Sequence, residues 1–261
     1  MSETVSEAPT AAILVIGDEV LSGRTRDKNI GYIAETLTAS GIDLKEARIV
    51  PDVEDEIIAA LDALRARYTY VFTTGGIGPT HDDITADAVA KAFGVPIDID
   101  PRALAVMRER YHEEDLNAAR LRMARIPEGA DLIDNPVSKA PGFRIGNVIV
   151  MAGVPMIMHR MLDNVLPTLG AGTPVLAREI PVEIKEGDLA PALGQIQAKF
   201  PDVAIGSYPQ YAEGVFSTRV VVRSRDEEKL KAAAEAVEAL VANWPAKDGA
   251  AASETGKGFK P

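Results

Sequence analysis

The chain has no cysteine, which excludes disulfides, thiolate metal sites and cysteine nucleophiles. Histidine is scarce as well. His81, His112 and His159 are the only three, which argues against a histidine-rich zinc site. Any metal would have to be a hard ion held by carboxylates. No apolar run approaches the ~20 residues of a membrane span. Residues 1–10, Met-Ser-Glu-Thr-Val-Ser-Glu-Ala-Pro-Thr, are acidic and polar, unlike a secretory signal. The expected location is the cytoplasm, with no membrane partner. Excess positive charge is missing too: the formal net charge over 261 residues is −11, so no basic face is expected for a nucleic-acid backbone. A small anion held by backbone N–H groups remains compatible with that charge. No internal repeat is visible.

What is present suffices for one large domain and a smaller one, since 46% of residues are hydrophobic and can fill two cores. Ala12-Ile13-Leu14-Val15-Ile16 is a continuous apolar run ending at Gly17, as expected of a parallel strand buried on both faces. Asn29 to Ser40 carries Ile30, Ile33, Ala34 and Leu37 at helical spacing. Leu44 to Val50 reads as a second strand, and Ile57, Ile58, Leu61 and Leu64 mark the next helix. This alternation predicts right-handed crossovers and a parallel sheet covered by helices, an α/β fold. Further on, Pro141 to Asn147 looks like a hairpin feeding the strand Val148-Ile149-Val150-Met151. Ala152-Gly153-Val154-Pro155 then turns into a methionine-rich helix. The best domain boundary is Pro167 to Pro174, which places the main domain over residues 11–170. Beyond it, 175–245 reads as a β-α-β-β-α unit, a smaller α+β domain. Residues 1–10 and 246–261 read as disordered tails.

The richest stretch runs from Tyr70 to Ala88. An apolar strand, Tyr70-Val71-Phe72-Thr73-Thr74, leads through Gly75-Gly76-Ile77-Gly78-Pro79-Thr80-His81-Asp82-Asp83 into a helix pattern that begins near Asp83. Glycine at 75, 76 and 78 admits positive φ and lets the backbone approach a ligand, so that free N–H groups point at an anion beside a helix N-terminus; side chains there would block the approach. Read as local structure alone, the glycines are turns, and Asp82 and Asp83 cap the helix. Neither the dinucleotide fingerprint nor the Walker pattern with its Lys is present.

Ligands of an open parallel sheet bind outside the carboxyl ends of its strands, and four such ends carry suggestive residues. They are Gly17-Asp18-Glu19-Val20-Leu21-Ser22-Gly23 with Asp27 and Asn29, then Pro51-Asp52, the glycine loop, and Ala152 to Pro155. Taken singly, Asp52 and Asp27 read as helix caps. Their convergence on one edge points to a site.

The Gly75 to Thr85 run resembles the G-G-[IL]-G-P-T-x-D-D-x-T signature of the MoaB/Mog molybdopterin-binding superfamily, in the form carried by competence/damage-inducible protein A. The G-D-E-[IVL]-L-x-G opening at Gly17 to Gly23 is typical of that branch, and the resemblance covers about residues 11–168. It implies a parallel-sheet, three-layer domain and carries over, by motif, two catalytic aspartates, Asp52 and Asp83. These two would also hold a divalent Mg, Mn or Co ion. The residues it implies for a phosphate or ligand are Gly17, Asp18, Glu19, Ser22, Gly75, Gly76, Gly78, Thr80, Asp82, Thr85, Gly153 and Pro155. The implied ligand is a small-molecule nucleotide or pterin phosphate, with molybdopterin itself a candidate, and superfamily members are commonly homo-oligomers. The smaller second unit resembles the branch's accessory subdomain, and a similar architecture opens some eukaryotic FAD synthases.

Three departures stand out. Ser138-Lys139-Ala140-Pro141-Gly142 replaces the usual G-T-A-P-G. Ile157 stands where the branch has a glutamate, which removes a polar group from the edge of the site. No long amidohydrolase domain follows residue 170, so nicotinamide-nucleotide deamidation is not carried over. Three readings stay open at this level: hydrolysis of an ADP-ribose- or FAD-type pyrophosphate, adenylyl transfer to molybdopterin, and ligand binding without catalysis.

Overall fold

The computed structural model describes residues 8–212 and 215–245, and the chain divides into two compact units, Met1–Pro174 and Val175–Pro261. In the first, β1 (Thr10–Ile16), the short α1 (Asp18–Leu21), α2 (Asn29–Ala39), β2 (Asp43–Val50), α3 (Glu54–Arg65) and β3 (Tyr70–Thr74) alternate as the apolar pattern predicts. After the glycine loop come α4 (Thr85–Phe93), β4 (Ile97–Ile99), α5 (Pro101–Arg108), α6 (Ala118–Arg122), β5 (Arg125–Pro127) and β6 (Asp131–Ile133). The hairpin β7 (Gly142–Ile145) and β8 (Val148–Met151) then leads into α7 (Pro155–Val165).

The sheet runs β2-β1-β3-β8-β7-β6. β2, β1, β3 and β8 are parallel, but β7 is antiparallel to both β8 and β6, so the sheet is mixed rather than wholly parallel. The hairpin at Gly146–Asn147 is the cause: a turn this tight can only join antiparallel neighbours. β4 and β5 pair separately as an antiparallel ribbon.

Period-2 alternation sends the strand side chains to two cores. Ala12, Leu14, Ile16, Val71 and Val150 pack with Ile57, Leu61 and Leu64 of α3, Val89 of α4 and Met107 of α5. Ile13, Val15, Phe72, Ile149 and Met151 pack with Ile33 and Leu37 of α2 and with Met158, Met161, Leu162 and Val165 of α7. The result is a three-layer α/β/α domain whose central strands are buried on both faces. Most of the methionine-rich helix is spent on this core, and Met156 is left exposed.

The second unit is β9 (Leu176–Val182), α8 (Glu186–Lys199), β10 (Ala204–Ala212), β11 (Val215–Ser224) and α9 (Glu227–Ala242). Its antiparallel sheet runs β10-β11-β9. Ile180, Val182, Val220 and Val222 meet Leu189, Leu193, Ala233 and Val237 of the two helices in one core.

Two boundaries differ from the sequence reading. Residues 8–10, read as tail, are placed: the Pro9 carbonyl accepts from Asp43 N at 2.8 Å and Thr10 opens β1. Residues 1–7 and the tail read over 246–261 lie outside the described residues. The helix after the glycine loop begins at Thr85, not near Asp83, because the Asp83 carboxylate folds back onto Thr80 N and closes a turn instead of capping α4. Among the described residues, no helix is long and apolar enough to cross a membrane.

Gly142 tests the packing between β7, β8 and α7. A Cβ there would fall on the Val150 carbonyl oxygen and the Met161 terminal methyl, and the backbone oxygen cannot move aside. Gly142→Ala should destabilise the main domain by about 1–3 kcal/mol, the usual cost of overpacking. Urea unfolding checks this, and an unchanged midpoint would show that the strand pair is loose.

Candidate active site: a glycine-floored cavity

Strand β3 delivers the chain to Gly75 and Gly76, whose φ values of 102° and 65° lie in the region that favours glycine. The loop is tied down from three sides. Gly75 N donates to Met151 O at 3.2 Å, Thr85 N donates to Gly76 O at 2.9 Å, and the Thr85 hydroxyl donates to Gly75 O at 3.0 Å. The glycines are required by this packing. A Cβ on Gly75 would strike the Ile16 carbonyl, one on Gly76 the Thr85 hydroxyl, and one on Gly78 would lie 2.6 Å from Asp83 Oδ2. The sequence reading had side chains intruding on the ligand's space; the structure has them colliding with the protein behind and beside the loop.

Above the loop opens a cavity of about 610 Å³. Its wall includes Gly75, Gly76, Gly78, Asp83, Glu19, Gly153 and Pro155, all singled out from the sequence, and Ile157, which stands at its edge as the missing glutamate suggested. Gly17, Asp18, Ser22, Asp52, Thr80, Asp82 and Thr85 are not in the wall. Several of these act behind it. Thr80 N and Oγ1 donate to Asp83 Oδ2 at 2.8 and 2.5 Å, aiming that carboxylate. Thr85 is fully buried and braces the loop. Gly17 N donates to Val50 O, joining the ends of β1 and β2. Ser22 Oγ donates to the carbonyl of Glu19 at 3.3 Å, within its own turn.

Among the described residues, the N–H groups of Gly76, Ile77 and Gly78 have no protein acceptor. Three free donors at the floor of a cavity, beside the start of α4, form an anion cradle.

The rest of the wall includes Tyr111, Arg120, Met123, Asn135, Ser138 and Ala140. Of these, Ser138 and Ala140 belong to the segment that departs from the G-T-A-P-G pattern, and the other four carry no motif. Arg120 donates to Asp115 O at 2.6 Å and lies 5.3 Å from the Tyr111 ring centroid, so its charge is held in place at the wall. Arg122 Nη2 donates to Asp83 O at 3.1 Å and fastens α6 over the loop. Asn135 builds its own turn, donating to Ser138 Oγ and Ala140 O and accepting from Val137 N and Ser138 N.

Asp52 does not cap α3. Its Oδ2 accepts from Asp18 N at 2.9 Å, tying the end of β2 to α1. Burial pushes its carboxyl above the usual carboxylate range, the Asp18 N–H offsets part of this, and the charges of Asp18, Glu19 and Asp82 add to the rise. Asp27, by contrast, does cap: its Oδ1 accepts from Ile30 N at 2.9 Å at the start of α2. Among the described residues, no three His, Cys, Asp or Glu side chains are grouped to hold a metal ion by themselves.

The raised Asp52 pKa sets a pH dependence. Between the unfolded and folded values the native state binds more protons, so this group's contribution to stability falls as pH rises through that window, just above the ordinary carboxylate range. Asp52→Asn keeps an acceptor for Asp18 N and removes the charge. The variant should melt higher than wild type at neutral pH, and the two should converge once acid neutralises Asp52. Equal melting temperatures at neutral pH would show that Asp52 is not held under strain.

Residues 12–171 match the family described as "Probable molybdopterin binding domain" and residues 174–247 match "FAD synthase, middle domain". A protein of Aeropyrum pernix is 34% identical over 248 residues, covering 90% of this chain and 92% of that one. A "Probable FAD synthase" of Caenorhabditis briggsae is 31% identical over 262 residues, covering 89% of this chain and 49% of that protein. Among solved structures, the protein CinA of Thermoplasma acidophilum, described as of unknown function, superposes with a TM-score of 0.59 at 36% identity, over 62% of this chain and 99% of that one. With its first unit matched along nearly its whole length, the chain belongs to the molybdopterin-binding-domain family and is related to CinA and to FAD synthase.

Proposed function

We propose that the cavity binds a molybdopterin or adenine-dinucleotide phosphate and that the protein, in the cytoplasm, hydrolyses the pyrophosphate of an ADP-ribose- or FAD-type ligand with a divalent metal. The observation that carries this reading is the set of N–H groups without a protein acceptor at Gly76, Ile77 and Gly78, on residues that line the 610 Å³ cavity together with Asp83.

The chain's own residues account for binding and orientation. The three N–H groups fix one phosphate without needing to reorganise. Arg120 offers a guanidinium from the cavity wall, and the apolar side chains of Val154, Ile157 and Met123 leave a surface suited to a flat ring. Thr80 holds Asp83 in one position. In the hydrolysis, water adds to one phosphorus, the P–O–P bond breaks, and doubly charged ADP-ribose gives the dianions of AMP and ribose 5-phosphate with release of two protons.

One carboxylate in the cavity wall, Asp83, is the kind of donor a Mg²⁺-type ion takes. Such an ion takes one or two carboxylates and completes its shell with water and substrate oxygens, so a three-carboxylate cage is not required. Asp83 would hold it from the cavity wall, and Asp52, whose Oδ2 accepts from Asp18 N outside that wall, would join through its other oxygen, where a cation would relieve the like charge of Asp18, Glu19 and Asp82. When bound, it supplies charge neutralisation on the phosphate oxygens and a water of lowered pKa. Self-association, implied by the family resemblance, belongs to the same reading, and light scattering at micromolar concentration tests it.

With Mg²⁺, Mn²⁺ or Co²⁺ added, the protein should convert ADP-ribose to AMP and ribose 5-phosphate, and a chelator should stop the reaction. Asp83→Asn should abolish turnover while leaving the melting temperature close to wild type. Product chromatography decides between the readings. Formation of adenylylated pterin from ATP and molybdopterin, with ADP-ribose and FAD intact, replaces the hydrolase with a transferase. Molybdopterin binding without any turnover leaves a binding module.

Gly78→Ala should act through geometry alone. Its Cβ would displace the Asp83 carboxylate, and an ångström of misplacement is worth about a hundredfold in rate. Steady-state kinetics on the folded variant should show that loss. Unaltered turnover would mean that the position of Asp83 does not matter to the chemistry.

A further inference from the structure

Behind the glycine loop lies a second, smaller space of about 50 Å³, between the starts of α2 and α7. Gly75, Gly153 and Glu19 belong to the walls of both cavities, so the small one is a recess adjoining the large one. Two of its lining side chains are buried and carry oxygens without a partner. Asn29 is 4% exposed and Thr74 is 1% exposed, and neither Asn29 Oδ1 nor Thr74 Oγ1 has a hydrogen-bond partner.

Their orientations follow from the fold. Asn29 Nδ2 donates to Gly153 O at 2.8 Å, and because a carbonyl only accepts, the other end of the amide must be the oxygen. Thr74 lies two residues after Phe72, which packs toward α2 and α7, so its side chain stands on that same face. Its neighbours across the sheet, Val15 and Met151, lie there as well.

An unpartnered oxygen buried this deeply costs stability unless something fills the space. The recess has room for a few waters and not for a ring. A fully ionised phosphate cannot satisfy Asn29 Oδ1, since in that form it only accepts. The charged residues at the rim balance, Glu19 and Asp27 against Arg26 and Lys28, which favours a neutral occupant. Hydroxyl groups both donate and accept, as the two oxygens require. In a ribose 5-phosphate unit the ring hydroxyls sit one ring and one methylene from the phosphate.

We infer that this recess seats the vicinal ribose hydroxyls of a nucleotide whose phosphate lies on the glycine loop, with Asn29 and Thr74 as the residues that select a riboside. The inference rests on the phosphate-binding reading above and sharpens it: a pterin phosphate without a vicinal diol gains nothing from the recess.

Calorimetric titration of the whole chain with AMP and with 2′,3′-dideoxy-AMP tests it. Wild type should bind AMP about tenfold more tightly, the scale of one or two net hydrogen bonds. Thr74→Val, which matches the shape and removes the hydroxyl, should lose most of that preference while melting no lower than wild type. Thr74→Ser should keep the preference. A purely structural role for Thr74 predicts the opposite, a lower melting temperature with both ligands weakened alike. Equal binding of AMP and the dideoxy compound by wild type, or a preference untouched in Thr74→Val, overturns the inference and leaves the phosphate reading standing. If neither AMP nor ADP-ribose binds wild type, the phosphate reading falls and this one with it.

Discussion

Thr85 is the residue on which the site depends. Its backbone N–H and its buried hydroxyl take the carbonyls of Gly76 and Gly75, so one residue anchors both glycines. The N–H groups of Gly76, Ile77 and Gly78, on residues that line the cavity, have no acceptor among the described residues. Because Gly75 is pressed against the Ile16 carbonyl and Gly76 against Thr85, the loop has no slack in which to turn those donors away. An anion cradle of this kind is rigid through packing, and rigidity is what lets backbone dipoles act on a ligand without first reorganising.

The carboxylates divide into two kinds of behaviour. Asp83 is satisfied locally by Thr80 and stands in the cavity wall. Asp52 is held behind it, partly buried among Asp18, Glu19 and Asp82, where its ionised form is disfavoured. A chain optimised for stability alone would not gather four acidic groups beyond the ends of three strands. Such an arrangement is expected where folding stability is given up to keep charge ready for a ligand.

Much of this architecture could be read from the chain because burial on both faces leaves a strong imprint. β1 carries the apolar run Ala11–Ile16 and β3 opens on Tyr70-Val71-Phe72, and the Gly75 to Thr85 motif sits where β3 ends. The readings that failed did so where side chains compete with the backbone. Two aspartates before a helical pattern look like caps, but Asp83 prefers the Thr80 donors, so α4 starts two residues later. The antiparallel β7 was implicit in its hairpin and is hidden only if the sheet is assumed uniform. Arg120, Tyr111 and Asn135 left almost no trace, since they come from irregular segments whose proximity to the loop is decided by tertiary packing.

The departures from the family pattern also take on physical meaning. Lys139 adopts φ 62°, a left-handed conformation that costs a side chain of its shape about 1–2 kcal/mol. It is held there by the turn that Asn135 organises, with Lys139 N donating to Asn135 O and Nζ paired with Glu109. Ser138, which stands at the pattern's glycine, is not among the positive-φ residues, so that position does not need glycine, and Ser138 and Ala140 still line the cavity wall. Ile157 changes more. Where a glutamate would add a further negative charge to the cavity wall, isoleucine presents an apolar side chain. The charged side chains of that wall are then two carboxylates, Glu19 and Asp83, and one cation, Arg120, so the replacement spares the wall a third like charge.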